Sequence, residues 1–324
     1  MSTLDDQLQA LSTLPGKIAI VFPGQGSQFV GMGRALYESS QAARRVFDQA
    51  DAILRIPLSK LCFDGPSEEL EDTLNAQPAI LVVSIAALEA VKERLAAVGG
   101  KLSPAVVAGH SLGEFTALVA SGAMDFAEAL PLVRERGRLM KEAGAEHPGG
   151  MAAVIGLDDA VVDEVVAATR EDGVLVVANA NCPGQTVISG ELGPLGRAID
   201  LAKARGAKRV ARLAISIASH SPLMARASSQ LRDFTAKVPI SAPQIPIVAN
   251  VTGQIMVSAD EIRQELAHHV ERPVNWTRSV VEMAESGVTT FVEVGPGQAL
   301  SGLIKRINRD ATTLRLEDLG LTAK

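Results

Sequence analysis

Three short runs rich in β-branched residues each end in a glycine turn and restart as a helical pattern: "KIAIVFPGQG", "AVVAGHSLG" and "TTFVEVGPGQ". Strands that feed helices in this way imply a parallel α/β sheet, with ligands bound beyond the strand C-termini. The three glycine turns are therefore expected to gather along one edge. Between Gly149 and Ser216 the rhythm changes to strand "MAAVIG", helix "DDAVVDEVVAATRE", strands "VLVVANAN" and "TVISG", helix "PLGRAIDLAKARG" and strand "KRVARLAIS". That β-α-β-β-α-β order predicts a ferredoxin-like small subdomain over residues 149–216. It is inserted in a larger α/β unit made of residues 1–148 and 217–324, whose sheet resumes at "IPIVANVT".

With 324 residues, 47% of them hydrophobic and 21% charged, the chain can bury a core large enough for both units. The opening "MSTLDDQLQALSTLPGK" has neither a basic start nor an apolar centre, and the longest nearly pure apolar run, Ala79 to Leu88, is too short to span a bilayer. A cytoplasmic protein is expected. Cys62 and Cys182 stand far apart in no metal-type spacing, so neither a disulfide framework nor a zinc site is implied. A net charge of -6 and an aromatic content of 3% speak against nucleic acid as a partner.

The segment Gly109-His110-Ser111-Leu112-Gly113 fits a nucleophile elbow, in which small residues two before and two after a serine allow a tight strand-to-helix turn. The pattern alone is weak, and its place after an apolar strand and before the helical "EFTALVASG" gives it weight; the bland alternative is a helix-capping serine. In "FPGQGSQ" and just beyond it the glycines fall at 24, 26 and 31, misplaced for a dinucleotide fingerprint, and no phosphate loop occurs elsewhere. That turn can instead expose the Gln25 backbone N–H as an oxyanion donor, partnered by the Leu112 N–H at the helix start, or simply carry a polar loop residue.

A serine hydroxyl needs a base, and five histidines are available: His110, His147, His220, His268 and His269. None shows zincin spacing, and His147 lies in a loop. His110 adjoins Ser111, but neighbouring side chains around such a turn diverge, which disfavours a usable bond between them. His220 in "SIASHSPLM" follows the return from the small subdomain and either reaches the elbow across a cleft or is a turn residue beside Pro222. Arg136, in the helical "LVRERGRLM", either faces the cleft and grips a carboxylate through two parallel bonds or is solvated like most helical arginines. Arg134 and Arg138 face elsewhere.

Taken in order, "VFPGQGSQ", "GHSLGE", "RGRLM", "SHSPLM", "RPVNW" and "VEVGPG" form a combination far more specific than any one of them. From about Lys17 to Ile307 the chain resembles the malonyl-CoA:acyl carrier protein transacylases of fatty acid synthesis and the related acyltransferase domains of polyketide synthases. The resemblance implies a hydrolase-like α/β core with a ferredoxin-like insert. It implies Ser111 as the acylated nucleophile, His220 as its base, and the Gln25 and Leu112 N–H groups as the oxyanion hole. Arg136 would hold the malonyl carboxylate, Met140 and Ser219 would line the acyl pocket, and Asn181 would sit at the cleft edge. Where many relatives carry glutamine or asparagine, four residues before Pro273, this chain has His269, whose backbone carbonyl is expected to orient His220.

The implied chemistry is a ping-pong transfer through a malonyl-serine ester, with malonyl-CoA and phosphopantetheinylated acyl carrier protein as substrates, no bound cofactor or metal, and a monomeric enzyme. Acyl carrier protein is acidic, so a local basic patch is expected near the cleft mouth. The candidates are Lys203, Arg205, Lys208, Arg209 and Arg212, and "KRINR" near the C-terminus, each equally readable as a solvated surface residue. An esterase or thioesterase would share the elbow but order its triad as serine, acid, histidine, which Asp260 or Glu261 with His268 imitates. That alternative leaves "FPGQGSQ" and Arg136 without roles. A non-catalytic carrier-protein-binding module is disfavoured by intact Ser111 and His220. Leu112 favours malonyl, while "IASHS" shares lettering with domains that take methylmalonyl.

Overall fold

The strands expected at the three glycine turns form side by side. The computed structural model describes residues 16–171 and 173–323, so the stretch read above as neither a leader nor a membrane span lies, but for its last two residues, outside the described residues. In chain order the described strands are β1 (Lys17–Phe22), β2 (Val106–Gly109), β3 (Gly149–Ile155), β4 (Leu175–Cys182), β5 (Gln185–Glu191), β6 (Arg209–Arg212), β7 (Ile247–Val248), β8 (Ile255–Met256), β9 (Val288–Glu293) and β10 (Thr312–Arg315). Six of them make one sheet, in the order β10-β9-β1-β2-β7-β8, parallel except for the edge strand β8.

β1, β2 and β9 are almost wholly buried, as expected for parallel strands covered on both faces. Their register pairs Phe22 with Gly109 and Val21 with Glu293, so all three strands end at nearly the same level. The turns beyond them touch. A methyl group added at Gly24 would lie 2.4 Å from the His110 carbonyl oxygen, and one at Gly295 would lie 2.7 Å from the Pro23 ring.

One face of this sheet is covered by a 25-residue helix, Thr73–Ala97, and by Phe126–Glu146 packed across it. The apolar run from Ala79 to Leu88 thus belongs to a helix long and apolar enough to cross a membrane by length and composition. However, 83% of its most apolar window is buried inside the protein. A central core helix surrounded by sheet and helices is apolar all round for the same reason a spanning helix is.

β4-β5-β3-β6 form a separate antiparallel sheet, with the helices Asp159–Thr169 and Leu192–Ala204 on one face. Alternation along β3 sends Ala152 and Val154 toward those helices and Met151 and Ala153 toward the larger unit. An isolated β-bridge between Asn179 and Val274 joins the two units, through the Val274 N–H to Ala178 (2.8 Å) and the Ala180 N–H to Val274 (2.9 Å).

Glycines at the elbow and in the helix Ala299–Ile307 generate opposite expectations. A methyl group at Gly109 would sit 1.9 Å from the Gly113 backbone, which cannot give way, whereas one at Gly302 meets nothing within 4 Å. Gly109→Ala should lower unfolding free energy by about 3 kcal/mol or more. Gly302→Ala should raise it by about 0.5–1 kcal/mol by favouring the helix. Denaturant midpoints with unchanged slope would check both.

Candidate active site

At the end of β2 the chain reverses into the helix Gly113–Ala120 within a few residues, and Ser111 occupies the left-handed region, with φ of 50°. Only Gly109 and Gly113 permit this. A side chain at Gly113 would lie 2.2 Å from the Phe22 carbonyl oxygen. Asn250 staples the turn: its Oδ1 accepts the Ser111 N–H at 2.6 Å and its Nδ2 donates to the Gly109 carbonyl at 2.7 Å.

The Ser111 hydroxyl has two partners. Its Oγ lies 2.8 Å from His220 Nε2, and Arg136 Nη2 donates to it at 3.1 Å. His220 Nδ1 lies 3.0 Å from the Arg272 carbonyl, an acceptor only, so that nitrogen carries the proton and Nε2 offers its lone pair to Ser111. Burial above all, with His269 and Arg136 beside it, holds the His220 pKa well below the usual histidine value. The ring is therefore neutral at neutral pH, the form that can accept a hydroxyl proton. His220 also has positive φ, 58°, and its N–H is anchored on the Val270 carbonyl at 2.9 Å.

Arg136 is 1% exposed, one helical turn before Met140 and on the same face. Gly137 lets its helix close on Thr73–Ala97, since a methyl group there would lie 2.5 Å from the Thr73 carbonyl oxygen. That approach brings Gln77 Oε1 within 2.6 Å of Arg136 Nη1, and Phe115 lies under the guanidinium at 5.6 Å. Burial lowers the Arg136 pKa to about 9 although Glu114 opposes the shift, and Nε has no partner. A buried guanidinium with unspent donors is a site for a planar anion.

These groups open on a cavity of about 560 Å³ between the two units. Met140, Ser219, Gln25 and Asn181 line it from the predicted set, beside His110, with Met151 and Val187 supplying an apolar wall from the small sheet. Asn181 holds His110, whose Nε2 lies 2.8 Å from Asn181 Oδ1, so His110 is turned away from Ser111. Among the described residues no protein acceptor takes the backbone N–H of Gln25 or Leu112. Gln25 Oε1 instead accepts from Thr73 Oγ1 at 2.7 Å, which fixes its turn.

One expectation is corrected. The carbonyl that meets His220 is that of Arg272, not His269. Hydrogen-bonded turns carry the chain from Glu265 to Arg272, and Pro273 then disfavours helical backbone at Arg272, freeing its carbonyl to face the imidazole. The His269 ring is buried against Phe115, Arg136 and Glu114. Nor does the serine–acid–histidine order assemble: Glu261 caps its own helix through Ser258, and His268 pairs with Glu271 at the surface. Of the basic candidates, Arg205 pairs with Glu164 and Lys203 with Asp200, while Arg306 bonds Gln185 and the Pro183 carbonyl at the cavity rim.

Asn250, Glu114 and Gln77 were not singled out from sequence. Each is a polar residue inside an apolar stretch, "IPIVANVT", "EFTALVASG" and "NAQPAILVV", and that contrast was the available signal.

The sequence pattern of the acyl transferase domain matches residues 19–316, which sets the class as acyltransferase. The malonyl CoA-acyl carrier protein transacylase of Bacillus subtilis is 45% identical over 303 residues, covering 93% of this chain and 94% of the relative. A crystal structure of an acyl carrier protein S-malonyltransferase from Vibrio cholerae superimposes with a TM-score of 0.87 at 40% identity, over 92% of this chain and 96% of that one. A malonyl-transacylase solved in complex with a type II PKS acyl-carrier protein gives a TM-score of 0.89 at 40% identity, over 94% of this chain and 97% of that one. The chain belongs to the malonyl CoA-acyl carrier protein transacylase family of acyltransferases.

The staple at the elbow generates a prediction. Asn250→Ala leaves a buried donor and a buried acceptor unmatched, and should lower stability by roughly 2–5 kcal/mol. Chemical unfolding of the variant beside the parent would check it.

Proposed function

We propose that this chain transfers a malonyl group from malonyl-CoA to the phosphopantetheine thiol of an acyl carrier protein, through a malonyl ester on Ser111. The observation that carries the reading is the shared hydroxyl: Ser111 Oγ is bonded to a neutral imidazole on one side and to a buried guanidinium on the other. An acyl group mounted on Oγ would carry its carboxylate to Arg136, and its reacting carbonyl would stay beside His220.

In the first half reaction His220 Nε2 takes the Ser111 proton as Oγ attacks the thioester carbon. The Gln25 and Leu112 N–H groups receive the tetrahedral oxyanion, and the C–S bond breaks as His220 returns the proton to the CoA thiolate. In the second, His220 takes the proton of the carrier-protein thiol, whose sulfur attacks the ester carbon and releases Oγ, which recovers that proton. Kinetics of the ping-pong type follow. Met140 and Ser219 shape the acyl pocket, and Asn181 fixes His110 at its edge. Arg136 supplies selectivity, because acetyl leaves a buried cation unpaired where malonyl pairs it.

The cleft is read as lying between a hydrolase-like α/β core and a ferredoxin-like unit over residues 149–216, supported by the β-α-β-β-α-β order and the antiparallel strand order. The carrier protein, an acidic partner, is read as approaching the β6 edge, where exposed Lys208, Arg209 and Arg212 have no ion-pair partner among the described residues.

Intact mass spectrometry after mixing with malonyl-CoA should detect one malonyl adduct, absent in Ser111→Ala. Arg136→Ala should lose on the order of 10²-fold or more in malonyl kcat/KM while gaining relative rate with acetyl-CoA. An adduct that survives Ser111→Ala, or unchanged selectivity in Arg136→Ala, would refute the reading. Charge reversal at Lys208, Arg209 and Arg212 together should raise KM for the carrier protein about tenfold or more and flatten its salt dependence, with acylation by CoA intact. Equal losses in both half reactions would remove β6 from the docking surface.

A further inference from the structure

We infer that Glu114 is linked to Arg136 through His269, and that binding a carboxylate-bearing acyl group at Arg136 favours the protonated form of Glu114, so that a proton is taken up on loading. The inference rests on the reading of Arg136 as the malonyl carboxylate site.

Glu114 is a carboxyl group with 0% exposure, in the first turn of the helix that follows the elbow. Its Oε2 accepts the Asn250 N–H at 3.0 Å and lies 3.5 Å from His269 Nε2, while Oε1 has no partner. Arg136 Nη2 lies 3.5 Å from His269 Nδ1. A guanidinium is only a donor, so His269 Nδ1 must present its lone pair to it, and a neutral ring then carries its proton on Nε2, toward Glu114. One imidazole thus spans the guanidinium and the carboxyl group. Burial, with Arg136 beside it, holds His269 well below the usual histidine value, which keeps the ring neutral.

The charged and titratable groups around Glu114 are few. Arg136 faces it from the helix Phe126–Glu146, His269 from the turn after the helix Ala259–Leu266, and Glu265 from that helix. His220 lies behind His269, with ring centroids 6.1 Å apart, and His110 lies farther out on the elbow. Burial raises Glu114 to about 8, against the lowering effects of the Asn250 hydrogen bonds and the Arg136 charge.

A malonyl carboxylate on Arg136 would cancel that charge and set a second anion nearby. Both changes raise the Glu114 pKa further. A group whose pKa is higher in the loaded state binds a proton on loading, so malonyl affinity should fall as pH rises through about 8, the value in the empty enzyme. Acetyl, with no carboxylate, should show no such trend. The proton comes from solvent, and no bond in the substrate changes.

The test is calorimetric titration of the Ser111→Ala protein, which binds without acylation, with malonyl-CoA and acetyl-CoA at about pH 8 in buffers of different ionisation enthalpy. Malonyl-CoA should bind with uptake of up to about half a proton more than acetyl-CoA. Protons linked to the CoA phosphates cancel in that difference. Adding Glu114→Gln, which keeps an oxygen for the Asn250 N–H, should abolish the excess uptake while malonyl-CoA still binds, and His269→Gln should reduce it. Tighter binding of malonyl-CoA without excess uptake would overturn the inference and leave the Arg136 reading standing. Equal affinity for the two thioesters would overturn the Arg136 reading itself. Undiminished uptake in Glu114→Gln would assign the proton elsewhere, and if that variant fails to fold, the Ser111→Ala comparison decides alone.

Discussion

Backbone packed on backbone at the end of β2 is the constraint from which the rest of the site follows. Gly109 meets Gly113, and Gly113 meets the Phe22 carbonyl, at separations that leave no room for a methyl group. The chain can therefore turn within one residue, and that residue, Ser111, is pushed into left-handed backbone. A non-glycine residue there is strained by roughly 1–2 kcal/mol. His220 carries the same strain, so both members of the hydroxyl–imidazole pair are held against their backbone preference. The Asn250 staple at Ser111 and the Val270 carbonyl at His220 offset it with hydrogen bonds out of water. Strain of this kind persists only where the surrounding fold over-determines the geometry, and the parallel sheet beneath the turn does so.

Around that hydroxyl the protein buries an arginine, two glutamates and two histidines, groups that a core built for stability alone would exclude. Their desolvation is only partly compensated. Arg136 Nε, Glu114 Oε1 and His269 Nε2 all lack a hydrogen-bond partner. The same desolvation keeps both imidazoles neutral and leaves the guanidinium short of acceptors. What weakens the empty site is thus what gives it affinity for a carboxylate and a base in the right protonation state.

Local features of the chain were legible wherever their cause is local. The strand endings at Phe22, Gly109 and Glu293 follow from glycine turns after β-branched runs, and the elbow from small residues flanking Ser111. His269 shows the limit. The family resemblance implied its carbonyl as the one that meets His220, but whether residue 269 or 272 turns that way depends on how the turns after residue 266 run into Pro273. Asn250 and Glu114 escaped notice because the atoms they hold lie on other elements, 139 residues away for the bond from Ser111 to Asn250. The apolar run Ala79 to Leu88 marks only the middle of the helix Thr73–Ala97, the part buried on every side.

By itself the sequence determined an α/β chain with three glycine turns at strand ends, a β-α-β-β-α-β insert and a serine at a forced turn. These follow from side-chain periodicity and backbone sterics, which act within a few residues. Tertiary structure alone decided that His220 and not His110 faces Ser111, that Arg136 points inward, and that Arg272 orients the imidazole. It also joined Glu114 to Arg136 through His269. Hydrogen bonds and charge pairing act over a few ångströms of space, and which groups come that close is set by the packing of whole elements.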